Sequence, residues 1–506
     1  MINPRRRFST NVISNVAVYG ISLIIGLWFT PYLIKNLGVA AYGLIPLATS
    51  VTTYLSLITL SINGSVGRFL TIDIQSNKFD EANKTFNTAF VGLLAIAVIS
   101  LPLLLGMVLS VPYIFHIPNG SETPSKILFL FVFLSFFVTE VDACFAVSSW
   151  AKSRFDLRSI VVISSNIIRV LLVLLFFTFL RPSIAYVGVG MLLAAIIGLA
   201  GDYILWRLLT PELTVSPSQF DRTRIRELFG MGGWIVINQI GALLFLNIDL
   251  IVANTILGAK AAGEYGSVLL FSSMLRSIAG SVSGILYPTI ITKFAQGDQK
   301  SVTNLSSQAV HLMGFTVGLP VGLLCGLGGL FLKLWLGQGF GNLWLLLVLM
   351  ICHLPINLAV APLFGIQMAL NKVKIPGIMT LVMGIGNVLL AIIFTVVLKW
   401  GLYGIAASAA IVLTLKNFIF TPLYGAHIQK ISWYTFYHSI IPGMLLTIVL
   451  GFLSWWGAII FNINSWTSLI LVGLLFGLIG IALVYIFGLD SNERVLVLDF
   501  LSINKK

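Results

Sequence analysis

Residues 263–290 read GEYGSVLLFSSMLRSIAGSVSGILYPTI. A helix crosses a bilayer with about 20 apolar residues. This run is long enough, yet Arg276 sits near its middle. At helical spacing Ser272, Arg276, Gly280, Ser283 and Tyr287 share one stripe. An ionised side chain at the centre of a membrane helix costs roughly 2.5–3.5 kcal/mol even on a lenient scale, so it rarely faces lipid. The stripe is therefore expected to face a watery cavity or a protein partner.

The rest of the chain is of the same kind. Of its 506 residues 58% are hydrophobic and 9% charged, more apolar surface than a soluble domain can bury. Fourteen spans are predicted, at about 9–34, 42–69, 85–110, 126–150, 159–180, 184–208, 229–255, 264–291, 306–332, 342–369, 375–398, 402–424, 437–461 and 466–488. The longest polar loop, TPELTVSPSQFDRTRIREL, is too short to fold as a catalytic module. Cys144, Cys325 and Cys352 lie in apolar stretches with neither metal-site nor disulfide spacing. No cofactor or metal is expected, and no cleavage site follows the basic N-terminus.

Lys and Arg orient the helices. Of 30, 21 fall on the side of the N-terminus, six on the other, and Arg169, Arg276 and Lys416 remain within spans. The positive-inside rule then places both termini in the cytoplasm. The net charge of +13 is largely this bias, so its expected neighbours are anionic membrane lipids, with no nucleic acid.

The chain repeats itself. Leu37-Gly38 with Tyr42-Gly43 follows span one, and Leu257-Gly258 with Tyr265-Gly266 follows span seven. QSNKFDEANK after Ile74 is echoed by AQGDQKSVTN after Phe294, and RVLLVLLFFTFL from Arg169 by NVLLAIIFTVVL from Asn387. The expected fold is an all-α polytopic membrane protein of about 14 transmembrane helices, in two parallel six-helix lobes plus two C-terminal helices. The expected divisions are 1–215, 216–432 and 433–506.

Polar stripes mark the spans expected to line a central cavity. Asn11, Asn15 and Ser22 share a face of span one; Thr49, Thr53, Ser56, Thr59 and Asn63 share one of span two; Asn238 and Asp249 share one of span seven. Such stripes also glue helices together. Glu140 and Asp142 in span four and Arg169 in span five sit at similar depths by residue count. They read either as a helix-holding Glu140–Arg169 pair or as an ion-binding carboxylate beside a substrate-binding guanidinium. Asp202 and Arg68 lie near span ends, where snorkelling is the plainer account. His311 and His353 are lone histidines without ligand spacing. With Tyr42 aligned to Tyr265, Arg276 faces Thr53 in the other copy, and Arg169 faces Asn387. Cations that the repeat does not share point to an anionic ligand, and an Arg fork suits phosphate oxygens.

The LG-x-x-x-YG turn at residues 37–43, its echo, and the acid in NIDLIVANTILG at residues 247–258 give the chain a resemblance to the polysaccharide-flippase branch of the MOP exporter superfamily, the Wzx-like O-antigen and exopolysaccharide transporters. The resemblance implies a multi-pass protein of the bacterial inner membrane. Its substrate would be an undecaprenyl-pyrophosphate-linked oligosaccharide, turned from the cytoplasmic to the periplasmic leaflet by alternating access, coupled to H+ or Na+. It implies glycosyltransferases and a glycan polymerase as working partners. Related lipid II flippases carry an essential Arg in the eighth span, where Arg276 stands, and shelter the lipid tail with their last two spans. On this reading Arg276, Arg169, Asn238, Thr53 and Asn63 meet substrate, and Asp249, Glu140 and Asp142 are ion-coupling candidates. A multidrug or cation antiporter of the same superfamily would favour acids over an Arg in its cavity. A membrane glycan polymerase, ligase or glycosyltransferase would want a large outer loop, and a scaffold would not want asymmetric charges.

Overall fold

A computed structural model describes residues 4–224, 233–490 and Arg494. Among the described residues, the predicted spans fall on helical segments. The first six are α1 (Pro4–Leu37), α2 (Val39–Gln75), α3 (Phe79–Ile114), α4 (Glu122–Ala151), α5 (Phe155–Phe179) and α6 (Ile184–Leu209). Next, α7 runs as Gly233–Leu246, breaks at Asn247 with a bend of 43°, and resumes as Ile248–Val252 before a π-helical turn, Ala253–Leu257. Then come α8 (Ala259–Ala295) and α9 (Gln299–Leu336). The tenth stretch is not one helix. It comprises Trp344–Ile351, Leu354–Ala359 and Leu363–Ala369, together α10, because Pro355 and Pro362 lack the N–H that a continuous helix needs. After α11 (Lys374–Ile392, ending in a π turn) comes α12, made of Leu402–Thr414, a π turn at Leu415–Phe420, and Thr421–Gln429. The last are α13 (Thr435–Ile460) and α14 (Trp466–Leu483). Among the described residues, eleven of these are long and apolar enough to cross a membrane, or twelve if bent α7 is one span.

The repeat is sharper in the backbone than in the sequence. Gly38 and Gly258 hold φ of 81° and 95° with extended ψ, a region open only to glycine. Asn77 and Gly297 are the left-handed residues between α2 and α3 and between α8 and α9. The bonds Lys78 N→Asp73 O and Asp298 N→Lys293 O recur at the same offset, 220. Since α2 and α8 are both 37 residues long, that register holds throughout. The counterpart of Arg276 is therefore Ser56, not Thr53: matching the two Tyr-Gly pairs slips the alignment by three residues, which equal helix lengths do not allow. In the second half of each copy the offset is 218, as in Arg154 N→Ser149 O and Lys372 N→Gln367 O, so Arg169 does match Asn387.

The longest polar loop is strapped along α3. Asn83 accepts from Thr214 N (2.7 Å) and donates to Glu212 O (3.0 Å); Asn87 accepts from Ser216 N (2.6 Å) and donates to Thr214 O (2.8 Å). Arg224 adds an ion pair to Glu81 at 2.7 Å. The amides thus satisfy loop backbone that has no secondary structure of its own. At the matching positions of α9, Thr303 bonds Gln429 at the end of α12 and Ser307 bonds Ser439 in α13.

By packing, the chain forms two compact units, Met1–Ser267 and Val268–Lys506, with the division inside α8. In the first unit α7 lies on α2, where Tyr54 donates to Leu243 O at 3.1 Å. The start of α8 touches α2 backbone to backbone: a Cβ on Gly43 would meet Gly263 N at 2.4 Å, and one on Gly263 would meet Val39 O at 2.0 Å. In the second unit α13 docks on α9 along Gly314, Gly318, Gly322 and Gly326, whose partners are Gly443, Thr447, Leu450 and Ser454. Small residues every fourth position let helices approach where lipid supplies no hydrophobic drive. Gly318→Leu would overlap Gly443 O and Thr447, each 2.8 Å from a bare Cβ, so a loss of about 3 kcal/mol is expected, the upper end of overpacking. A thermal melt of the purified variant measures it. Gly477→Ala, with nothing nearer than 3.9 Å, should melt like the native protein.

Candidate substrate and ion sites

In the first unit Asp249 opens the second piece of α7, just past the break. It is 5% exposed and accepts from the Tyr265 hydroxyl at 2.6 Å. The Tyr of the Tyr-Gly pair thus fixes this acid. Three bonds between Asn254 and His116 hold the end of α7 to the α3–α4 loop: His116 N→Asn254 Oδ1 (2.9 Å), Asn254 Nδ2→His116 O (3.1 Å), and His116 Nδ1 to Asn254 O (2.9 Å). Since that last acceptor is a carbonyl, Nδ1 carries the proton.

The α2 stripe is self-satisfied. Thr49, Thr53, Ser56 and Thr59 donate to carbonyls three or four residues back in their own helix. Thr53 is half-buried and Thr59 buried. Asn238 is half-buried on the first piece of α7. The side chains of Asn63, Arg68 and Tyr287 lie outside the described residues. Asn11 donates to Ser153 O at 3.0 Å, and Asn15 is exposed.

Depth matched Glu140 to Arg169, but the described ion pairs do not include one between them. Arg169 instead lines a cavity of about 250 Å³ among α4, α5 and α6, together with Arg158, Asp142 and Asp202; Glu140 does not. Residues 140 and 142 are roughly 200° apart around a helix, and only one can face α6. Asp202 is 2% exposed and lines the same cavity as Asp142. Asp202 is therefore not the snorkelling residue expected from its place near a span end: Asp has no long stem, and position 202 is seven residues from the end of α6, about 10 Å deep.

In the second unit Arg276 is half-buried and donates through Nε to the Ser272 hydroxyl at 3.3 Å, one turn back on the same stripe. Its charge also acts on His353, in the first break of α10. His353 Nδ1 bonds the Asn357 amide. Asn417 reaches Asn357 O at 3.4 Å, Lys416 Nζ reaches Asn417 Oδ1 at 3.4 Å, and the Lys416 ammonium lies 5.1 Å from the centre of the Phe364 ring. Lys416 and Asn417 sit in the π turn of α12. Pro422 offers no N–H to the helix, and both side chains are buried, 5% and 6% exposed. From residue 268 to 489 the only acid is Asp298, in the α8–α9 turn, against nine Lys and Arg.

A profile of the polysaccharide biosynthesis protein family matches residues 8–295. The membrane protein EpsK of Bacillus subtilis is 32% identical over 492 residues, covering 97% of each chain. The chain belongs to the polysaccharide biosynthesis protein family. Another relative of this family member is the putative O-antigen transporter of Shigella flexneri, 23% identical over 82% of this chain and 97% of that one. This polysaccharide biosynthesis protein shares its fold with membrane transporters of known structure. Lipid II flippase MurJ in an inward closed conformation superposes with a TM-score of 0.66 at 17% identity, over 94% of this chain and 99% of that one. An inward-facing multidrug resistance MATE transporter of the MOP superfamily gives 0.63 at 13%, over 82% and 96%.

Proposed function

We propose that the protein is an alternating-access flippase. It turns undecaprenyl-pyrophosphate-linked oligosaccharide units from the cytoplasmic to the periplasmic leaflet of the bacterial inner membrane, driven by an ion gradient. Its lobes are 1–215 and 216–432, and residues 433–506 add two helices. The observation that carries this reading is the charge of the second half, nine cations to one acid with Arg276 and Lys416 inside helices. That field favours a diphosphate and opposes the cationic drugs that a multidrug antiporter would carry. Arg276 offers the fork for phosphate oxygens, and Asn238 and the α2 stripe offer hydroxyl and amide contacts to sugar. Arg169, beside two acids, is assigned to ion coupling.

Deleting the gene should remove surface glycan and leave lipid-linked units stranded in the inner leaflet. Loss of glycan without their accumulation contradicts flipping. The orientation has its own check. Single cysteines at Asn119 and Asp221 should be labelled from the outside and from the inside respectively, and the reverse pattern contradicts it.

A further inference from the structure

The α4–α5–α6 cavity is lined by two acids and two guanidiniums, of which Arg158 also lies 5.8 Å from the centre of the Trp150 ring. We propose that Asp142 and Asp202 together form one proton-binding site and that its proton is the coupling ion. The site stands on the geometry; the coupling role rests on the transport reading above.

Asp142 and Asp202, 60 residues apart in sequence and on different helices, line the same cavity. Neither carboxyl lies within ion-pair distance of Arg158 or Arg169 among the described ion pairs, although all four line the cavity. Two carboxylates that share one small cavity repel each other when both are ionised, which favours a single proton held between them. One oxygen of each acid, the Ser165 hydroxyl and Arg169 Nε face the site with their hydrogen-bonding capacity unused. A polar cavity of this size has room for the water that would carry a proton in and out. A metal cation would need a shell of oxygen ligands and would meet two guanidiniums instead. Arg158 lies three residues into α5 and Arg169 eleven further, about 16 Å along the axis, so the cations bracket the acids.

The other charges of the neighbouring helices stand apart. Glu140 is on another face of α4, where Cys144 is buried, and Arg207 lies 5.4 Å from the Trp206 ring. At the start of α5, Arg154 and Asp156 pair at 2.9 Å. The helices α2 and α3 bring Asp73, Asp80, Glu81 and Lys84 only near their shared turn. At the 218 offset the acids correspond to Val360 and Phe420, so the repeat does not account for them. Unloading breaks one carboxyl O–H bond and passes the proton to cavity water, with no redox change.

Infrared spectra of the purified protein in liposomes, titrated with pH, read protonated carboxyls directly. The native protein should show a neutral-carboxyl band at neutral pH. Asp142→Asn and Asp202→Asn should each remove it, and Glu140→Gln should leave it. No such band in the native protein, a band that survives either Asn variant, or one removed by Glu140→Gln overturns the site. The native spectrum alone decides this if a variant fails to fold. Surface glycan in cells carrying Asp142→Asn tests coupling separately. Loss of export at normal protein level is expected, and normal export overturns the coupling role while leaving the proton site to the spectra.

Discussion

Arg276→Ala should abolish surface glycan in a complementation assay while the protein stays at its native level in the membrane. The side chain is half-buried, and one of its bonds, through Nε to the Ser272 hydroxyl one turn back, is 3.3 Å long. The larger loss is expected in substrate binding. Each hydrogen bond to a charged group is worth about 1.5–3 kcal/mol, and two from one fork amount to roughly a hundredfold or more in affinity. Arg276→Lys keeps the charge but not the planar fork, so it should retain part of the activity. Normal glycan in Arg276→Ala at normal protein level would remove Arg276 from the site. Equal loss in Arg276→Lys and Arg276→Ala would show that fork geometry, not charge, is what counts.

The second large effect is expected where α2 meets α8. A Cβ on Gly263 lands 2.0 Å from the Val39 carbonyl oxygen, which is backbone and cannot turn aside. Gly263→Ala must therefore push the helices apart or unfold the contact, at a cost of about 3 kcal/mol or more. Two other glycines of α8 grade the effect. Gly266→Ala meets the Pro46 ring at 2.8 Å, so a milder loss is expected. Gly280 has nothing within 4 Å, and Gly280→Ala should be neutral or gain up to about 1 kcal/mol from helix propensity. Melting temperatures should fall in the order Gly280→Ala, Gly266→Ala, Gly263→Ala. If Gly263→Ala melts with Gly280→Ala, the close crossing is not present in the protein.

These two sites differ in how far they can be read from sequence. Arg276 stands out in the sequence because a guanidinium amid apolar residues has few explanations in a membrane. The glycine crossing does not, because Tyr42-Gly43 and Tyr265-Gly266 read as repeat markers rather than as contacts. Aligning them misplaced the partner of Arg276 by three residues, and only the equal lengths of α2 and α8 put it at Ser56. Eleven or twelve of the predicted spans are long, apolar helices among the described residues, but the breaks in α10 follow from Pro355 and Pro362, which a hydropathy window averages away. Counting residues gives depth along a helix and not direction around it. Hence Glu140 was matched to Arg169 when Asp142 faces the cavity, and the partner, Asp202, lay 60 residues away in a different helix. The glycine stripe that docks α13 on α9 was open to view in the sequence, but nothing there names the helix it meets.

The central claim is that the protein moves a lipid-linked sugar diphosphate across the bilayer. The direct measurement uses the purified protein in liposomes with a polyprenyl-diphosphate oligosaccharide in both leaflets and an external enzyme or lectin that reads only the outer one. With native protein the whole pool should become accessible over time, and with Arg276→Ala only the outer-leaflet fraction. If native protein leaves the inner-leaflet fraction inaccessible, with a gradient of either H+ or Na+ imposed in either direction, the account is wrong.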